Sequence, residues 1–258
     1  MTAVLVLAAP AEAAKKKRKR ARATAKQPEP PAVPRPHDPS KVTFTTSDGV
    51  VLAASWRPAP NDPQAPAVLL LHDFSRDRRT WDDVAFTLTA RGLATLALDL
   101  RGHGESTRKT SGAVVKLSPR LLTSPGGFPV DVSAACRWLK SRAPRVGVLG
   151  LSLGGNLAVL ATASRWADAG VAVSANTERL GALAGTLPTK PRGLLVLAAE
   201  QDTGRAESAR MLEAAAGEEP RKTVVYPGAG HNLGLFTAHP AAWDEVLGWL
   251  TSRLAPTP

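Results

Sequence analysis

Three side chains far apart in the sequence could together make an acyl-transfer centre: a serine between glycines, a carboxylate and a histidine. Gly150-Leu151-Ser152-Leu153-Gly154 fits G-x-S-x-G, directly after the strand-like run RVGVLG and directly before an apolar run of helical length. A strand turning sharply into a helix brings the flanking positions together, so glycines suit the places where a side chain would clash. The serine hydroxyl then projects above the strand ends, and the helix turns its positive end toward a developing oxyanion. A serine alone is a poor nucleophile and needs a base and an acid that orients it. Asp202, in VLAAEQDTGR, and His231, in VYPGAGHNLGLF, follow in the order Ser, Asp, His, each just past a strand-like run. Alternatives stand beside each residue. Ser152 can be a small residue in a tight turn, Glu200 at the strand boundary competes with Asp202, and His231 can be a hydrogen-bonded loop histidine. His37, His72, His103 and His239 are further candidates, though none follows the last strand-like run.

The elements that must hold these residues are legible as alternating periodicities. From Lys41 onward, apolar runs of strand length alternate with longer stretches of helical period, the pattern of βαβ units around a largely parallel sheet. The start differs: KVTFTTSDGVVLAASWRP reads as two strands joined around Asp48-Gly49, an antiparallel hairpin. Six further strands are expected at AVLLLH, LATLALDL, RVGVLG, GVAVSAN, GLLVLAAE and KTVVYPG, and their near-continuous Val/Leu/Ala content suits strands covered on both faces. Helices are expected at about 80–91, 129–142, 153–163, 205–216 and 241–254.

With these motifs in place the chain resembles an α/β-hydrolase over essentially all of residues 41–254. LLLHDFS and LDLRGHGES lie where that family carries H-G-x and D-x-R-G-H-G-x-S. The resemblance implies an eight-stranded, mostly parallel sheet with helices on both faces. It also implies an oxyanion hole made by the backbone N–H groups of Phe74 and Leu153, with His72, Arg101, Gly102 and His103 shaping the loops around it. Asp73 departs from the family, which usually has glycine there, and puts a side chain and a negative charge beside Phe74. Only TERLGALAGTLPTKPR separates GVAVSAN from GLLVLAAE, too little for a large cap domain, so the site should be open, with residues 107–129 bordering its mouth. The cap-poor outline is similar to small esterases and dienelactone-hydrolase-like proteins, although dienelactone hydrolase itself carries cysteine where Ser152 stands.

The expected reaction is therefore hydrolysis of a small-molecule carboxylic ester or thioester through an acyl-serine. Acyl transfer and peptide cleavage by the same residues are variants, and a catalytically idle envelope-associated binding protein is the alternative class. No metal-ligand cluster or phosphate-cradling loop appears, so no cofactor is implied.

Charge points the same way once it is apportioned. The formal net charge of +11 falls unevenly: residues 1–41 hold 10 Lys/Arg against 3 Asp/Glu, leaving 23 against 19 for the rest. The globular part is only mildly basic, so the sum is no argument for specific nucleic-acid binding. MTAVLVLAAPAEAA, residues 1–14, reads as the apolar core and small-residue cleavage site of a signal peptide without its positive n-region, which favours export over a cytoplasmic location. It is too short to span a bilayer. Residues 15–40 form a basic block and proline-rich tether expected to stay unfolded, with loose contact to anionic envelope polymers as its sharper reading. Residues 41–258 are the hydrolase-like domain. Cys136, the only cysteine, permits no internal disulfide and reads as a buried structural thiol.

Overall fold

A computed structural model describes residues 39–60, 62–185, 191, 193–215 and 221–255. The expected signal peptide and all but the last two residues of the tether lie outside the described residues. The strands are β1 (Ser40–Thr45), β2 (Val50–Arg57), β3 (Ala67–Leu71), β4 (Ala94–Leu98), β5 (Arg108–Lys109), β6 (Val146–Leu151), β7 (Ala169–Val173), β8 (Leu194–Ala199) and β9 (Arg221–Tyr226). The helices are α1 (Asp82–Thr89), α2 (Phe128–Lys140), α3 (Leu153–Ala163), α4 (Thr177–Ala184), α5 (Arg205–Ala215), α6 (Leu233–Ala238) and α7 (Ala242–Leu254), with single 3₁₀ turns at Arg78–Trp81 and Pro119–Thr123.

The strand order is β1-β2-β4-β3-β6-β7-β8-β9. β2 runs antiparallel to β1 and β4, and every pairing from β4 to β9 is parallel. The expected hairpin is present: Gly49 takes φ +83°, a left-handed conformation that glycine adopts without a side-chain clash. Two details correct the sequence-based expectation. β1 begins at Ser40, inside the expected tether, and among the described residues the sheet has nine strands rather than eight. The ninth is β5, which pairs with Val50 and Val51 of β2. Two charged residues carry no period-2 pattern, so pairing with an existing strand edge, not local preference, makes them a strand.

β3, β4, β6, β7 and β8 are buried at every position. Their side chains divide by alternation. Ala67, Leu69 and Leu71 of β3 join a core with Phe128, Val132 and Leu139 of α2 and Leu153 and Leu157 of α3. Val68 and Leu70 join the opposite core with Leu88 of α1 and Val246, Leu250 and Leu254 of α7. At about 1.5–3 kcal/mol for each fully buried large aliphatic side chain, these two layers supply the main driving force for the fold. Because parallel strands all end on the same side, β3, β6, β7, β8 and β9 deliver their following loops to one edge of the sheet, where Phe74, Ser152, Asp202 and His231 lie.

Candidate active site

The elbow is built by close backbone approaches. Ser152 joins β6 to α3 at φ 49°, ψ −104°, a strained conformation for a side-chain-bearing residue. Its N–H donates to Val173 O at 2.8 Å and its C=O accepts from Asn156 N at 2.9 Å, which fixes the turn from both ends. A Cβ on Gly150 would overlap the Gly154 carbonyl, and one on Gly154 would overlap the Leu71 carbonyl; on Gly155 it would come 2.7 Å from Val173 O. The start of α3 therefore presses directly on the ends of β3 and β7. No larger residue fits at these positions, which is why the glycine spacing is diagnostic.

Asp202 and His231 come together from the loops after β8 and β9: His231 Nδ1 lies 2.7 Å from Asp202 Oδ2. The carboxylate can only accept, so Nδ1 carries the proton and Nε2 is left as the basic nitrogen. Asp202 is held by its own loop, with Asp202 N donating to Ala199 O and Arg205 N donating to Asp202 O. Glu200 does not compete: it points away to pair with Arg210 at 3.6 Å. The Ser152 hydroxyl has no hydrogen-bond partner among the described residues.

The remaining described histidines have other occupations. His72 is fully buried; its Nδ1–H donates to Asp73 O at 2.6 Å and its Nε2 accepts from Leu100 N at 3.1 Å. Burial pushes its imidazole down to about 4, so it is neutral at physiological pH. His103 Nε2 meets Phe74 O at 2.7 Å, and His239 Nε2 meets Pro227 O at 2.8 Å. His37 lies outside the described residues.

Phe74 and Leu153 share a distinct state: among the described residues, neither backbone N–H has a hydrogen-bond partner. Leu153 is free because it opens α3, where the first N–H groups have no intrahelical acceptor. Phe74 is held from its other side, by His103 on its carbonyl. Below this loop Arg101 ties three elements together. It donates from Nε to Asp131 Oδ1 at 2.8 Å in α2 and from Nη1 to Asp48 Oδ2 at 2.8 Å in the β1–β2 turn. Burial works against the Asp48 charge, but the Arg101 and Thr46 hydrogen bonds outweigh it and hold the carboxyl at about 2. Cys136 is buried, as expected, and burial pushes its thiol up to about 12, so it is inert.

This sheet order has a known counterpart. A model of the alpha/beta hydrolase family matches residues 68–189, from β3 through the elbow to the end of α4. The chain has the α/β-hydrolase fold. An esterase from Pyrococcus furiosus superposes with a TM-score of 0.66 at 19% identity, covering 85% of this chain and 92% of that one. Dienelactone hydrolase from Anabaena variabilis gives 0.60 at 21% identity, over 85% and 100%. An uncharacterized protein of Mycobacterium tuberculosis is 28% identical over 216 residues, which is 74% of this chain and 72% of its own. As the short segment after β7 led us to expect, no large cap stands over this fold: among the described residues only α4 lies between β7 and β8.

Two contributors escaped the sequence reading. Asn232, next to His231, donates its N–H to Ser174 Oγ at 3.1 Å and its side-chain Nδ2 to Asp73 Oδ2 at 3.3 Å. Both bonds link loops far apart in the chain, and no local spacing announces them. The available signal was the pairing of an unexpected acid at Asp73 with an amide beside the histidine.

Proposed function

We propose that this α/β-hydrolase cleaves carboxylic esters or thioesters of small molecules. The observation that carries the reading is the 2.7 Å His231–Asp202 pair delivered to the sheet edge that bears the strained Ser152 elbow. Ser152 Oγ attacks the acyl carbonyl as His231 Nε2 takes its proton. Asp202 holds the resulting imidazolium, and the unpaired Phe74 and Leu153 N–H groups receive the oxyanion. Collapse gives an acyl-serine and releases the alcohol, protonated by His231; water then attacks under the same base and frees the acid. The esterase and dienelactone hydrolase among the structural neighbours support hydrolysis at an activated carbonyl.

The test is labelling by a fluorophosphonate probe together with turnover of p-nitrophenyl butyrate. Ser152→Ala should abolish labelling, and Asp202→Asn should slow it by roughly 10²–10⁴-fold, because the amide no longer enforces the Nδ1–H tautomer. A wild-type chain that neither labels nor turns over any ester in a panel sinks the reading. Products joined to an added alcohol, at the expense of free acid, would assign acyl transfer instead.

A further inference from the structure

Three of the four described non-glycine residues with positive φ, namely Ser152, Ser174 and Asn232, stand together at the catalytic edge. Strain of this kind persists only where surrounding contacts over-determine it. For Ser152 and Ser174 the contacts are strand-like: Ser152 N donates to Val173 O and Ser174 N donates to Leu197 O. Asn232, at φ 53° and ψ −124°, has no such ladder. It is held by Ser174 Oγ on its N–H and by Asp73 on its side chain.

Asp73 is itself fixed. Its Oδ1 accepts from Ser75 N at 2.9 Å and from Ser75 Oγ at 2.8 Å, which leaves Oδ2 aimed across the site at Asn232 Nδ2. The carboxylate precedes Phe74, the amide follows His231, and the two loops otherwise come from strands β3 and β9, with β6, β7 and β8 between them in the sheet. We infer that Asp73 and Asn232 form a strap across the catalytic edge. They are a positioning pair that holds the His231 loop in register with the Phe74 N–H. The inference rests on the proposed serine chemistry and adds to it the residues that keep base and oxyanion donor at a fixed spacing. The strap gives a role to the acid at 73, where the resemblance drawn from the sequence leads one to expect glycine.

The bond is long for one to a carboxylate, and Asn232 Oδ1 is buried without a partner, so the amide has one strong preference in orientation: Nδ2 toward Asp73. This yields a conservative variant. In Asp73→Asn the new amide keeps its oxygen on Ser75 and offers an N–H to Asn232, whose side chain can turn its orphaned oxygen to accept it.

The experiment is a double-mutant cycle on Asp73→Gly and Asn232→Gly. Each variant is read by the fluorophosphonate labelling rate and by the imidazole NMR signals of His231. Glycine at 232 removes the side chain while relaxing the positive φ, so the fold is preserved; the thermal midpoint checks this. The expected result is a loss of labelling rate of roughly 10- to 100-fold in each single variant, little further loss in the double, and recovery of most of the loss by Asp73→Asn. The His231 signals should move in both single variants. Single variants that label within about twofold of wild type, losses that multiply in the double, or an Asp73→Asn as slow as Asp73→Gly would each overturn the strap. A wild-type chain without labelling or turnover would instead overturn the serine-hydrolase reading, and the strap would then stand or fall on whether the His231 signals move.

Discussion

At His72 a single ring is shared between two loops, donating from Nδ1 to Asp73 O and accepting at Nε2 from Leu100 N. Only the neutral ring can do both, and burial keeps it neutral down to about pH 4. The folded value lies below the usual one near 6.5, so between these limits the unfolded chain binds a proton that the folded chain refuses. Stability from this group is thus complete above about pH 6.5, declines as pH falls, and levels off below about 4. The span corresponds to roughly 3 kcal/mol. Denaturant midpoints between pH 7 and 4 should fall more steeply for wild type than for His72→Gln, which has no proton to take up; parallel curves would contradict the account. His72 was legible as a loop-shaping residue from its motif, and Ser152, Asp202 and His231 from spacing and chain order. The Asn232–Asp73 contact was not, because it spans 159 positions of sequence and no rule of local spacing reaches that far.

Elements were legible where burial imposes a period and obscure where it does not. α3 matches its expected bounds because its residues 153–162 are all buried and its start is set by the glycine elbow. α4 and α6, of eight and six residues, were missed: each is a short helix in a loop, begun by tertiary contacts as much as by propensity. α4 is started by Asn176, whose side chain accepts from Arg179 N, a cap too local to stand out in sequence. Two glycines inside helices separate packing from propensity. In Gly154→Ala the new Cβ would overlap the Leu71 carbonyl, so α3 must move off β3; we expect a loss of about 3 kcal/mol or more in urea unfolding, with labelling abolished. In Gly248→Ala, within α7, the Cβ meets nothing within 4 Å, and the same measurement should show a gain of roughly 0.5–1 kcal/mol. Equal effects at the two positions would mean that helix propensity, not the approach of α3 to the strand ends, explains the glycine at 154.

Across the whole molecule, the buried parallel strands make a platform, while among the described residues only short elements border the edge that carries Ser152. Phe74, Leu121 and Leu122 are only partly buried, packed against a core that includes Leu153, the residue after Ser152, and Leu183, so the apolar surface they offer is open to water on one side. The turn that carries Leu121 and Leu122 lies within residues 107–129, which were expected to border the mouth, and it packs against α4. A pocket that enclosed an acyl chain completely would gain about 0.8 kcal/mol, or roughly fourfold in kcat/KM, for every methylene added to the ester. A wall open to water on one side removes only part of each methylene from solvent. We therefore expect the series of p-nitrophenyl esters from acetate to octanoate to rise by less than about twofold per methylene and then flatten. Leu121→Ala should lower the slope for longer esters while leaving acetate turnover little changed, since acetate does not reach that wall. A steady rise near fourfold per methylene would mean that the chain encloses its substrate and would contradict this account.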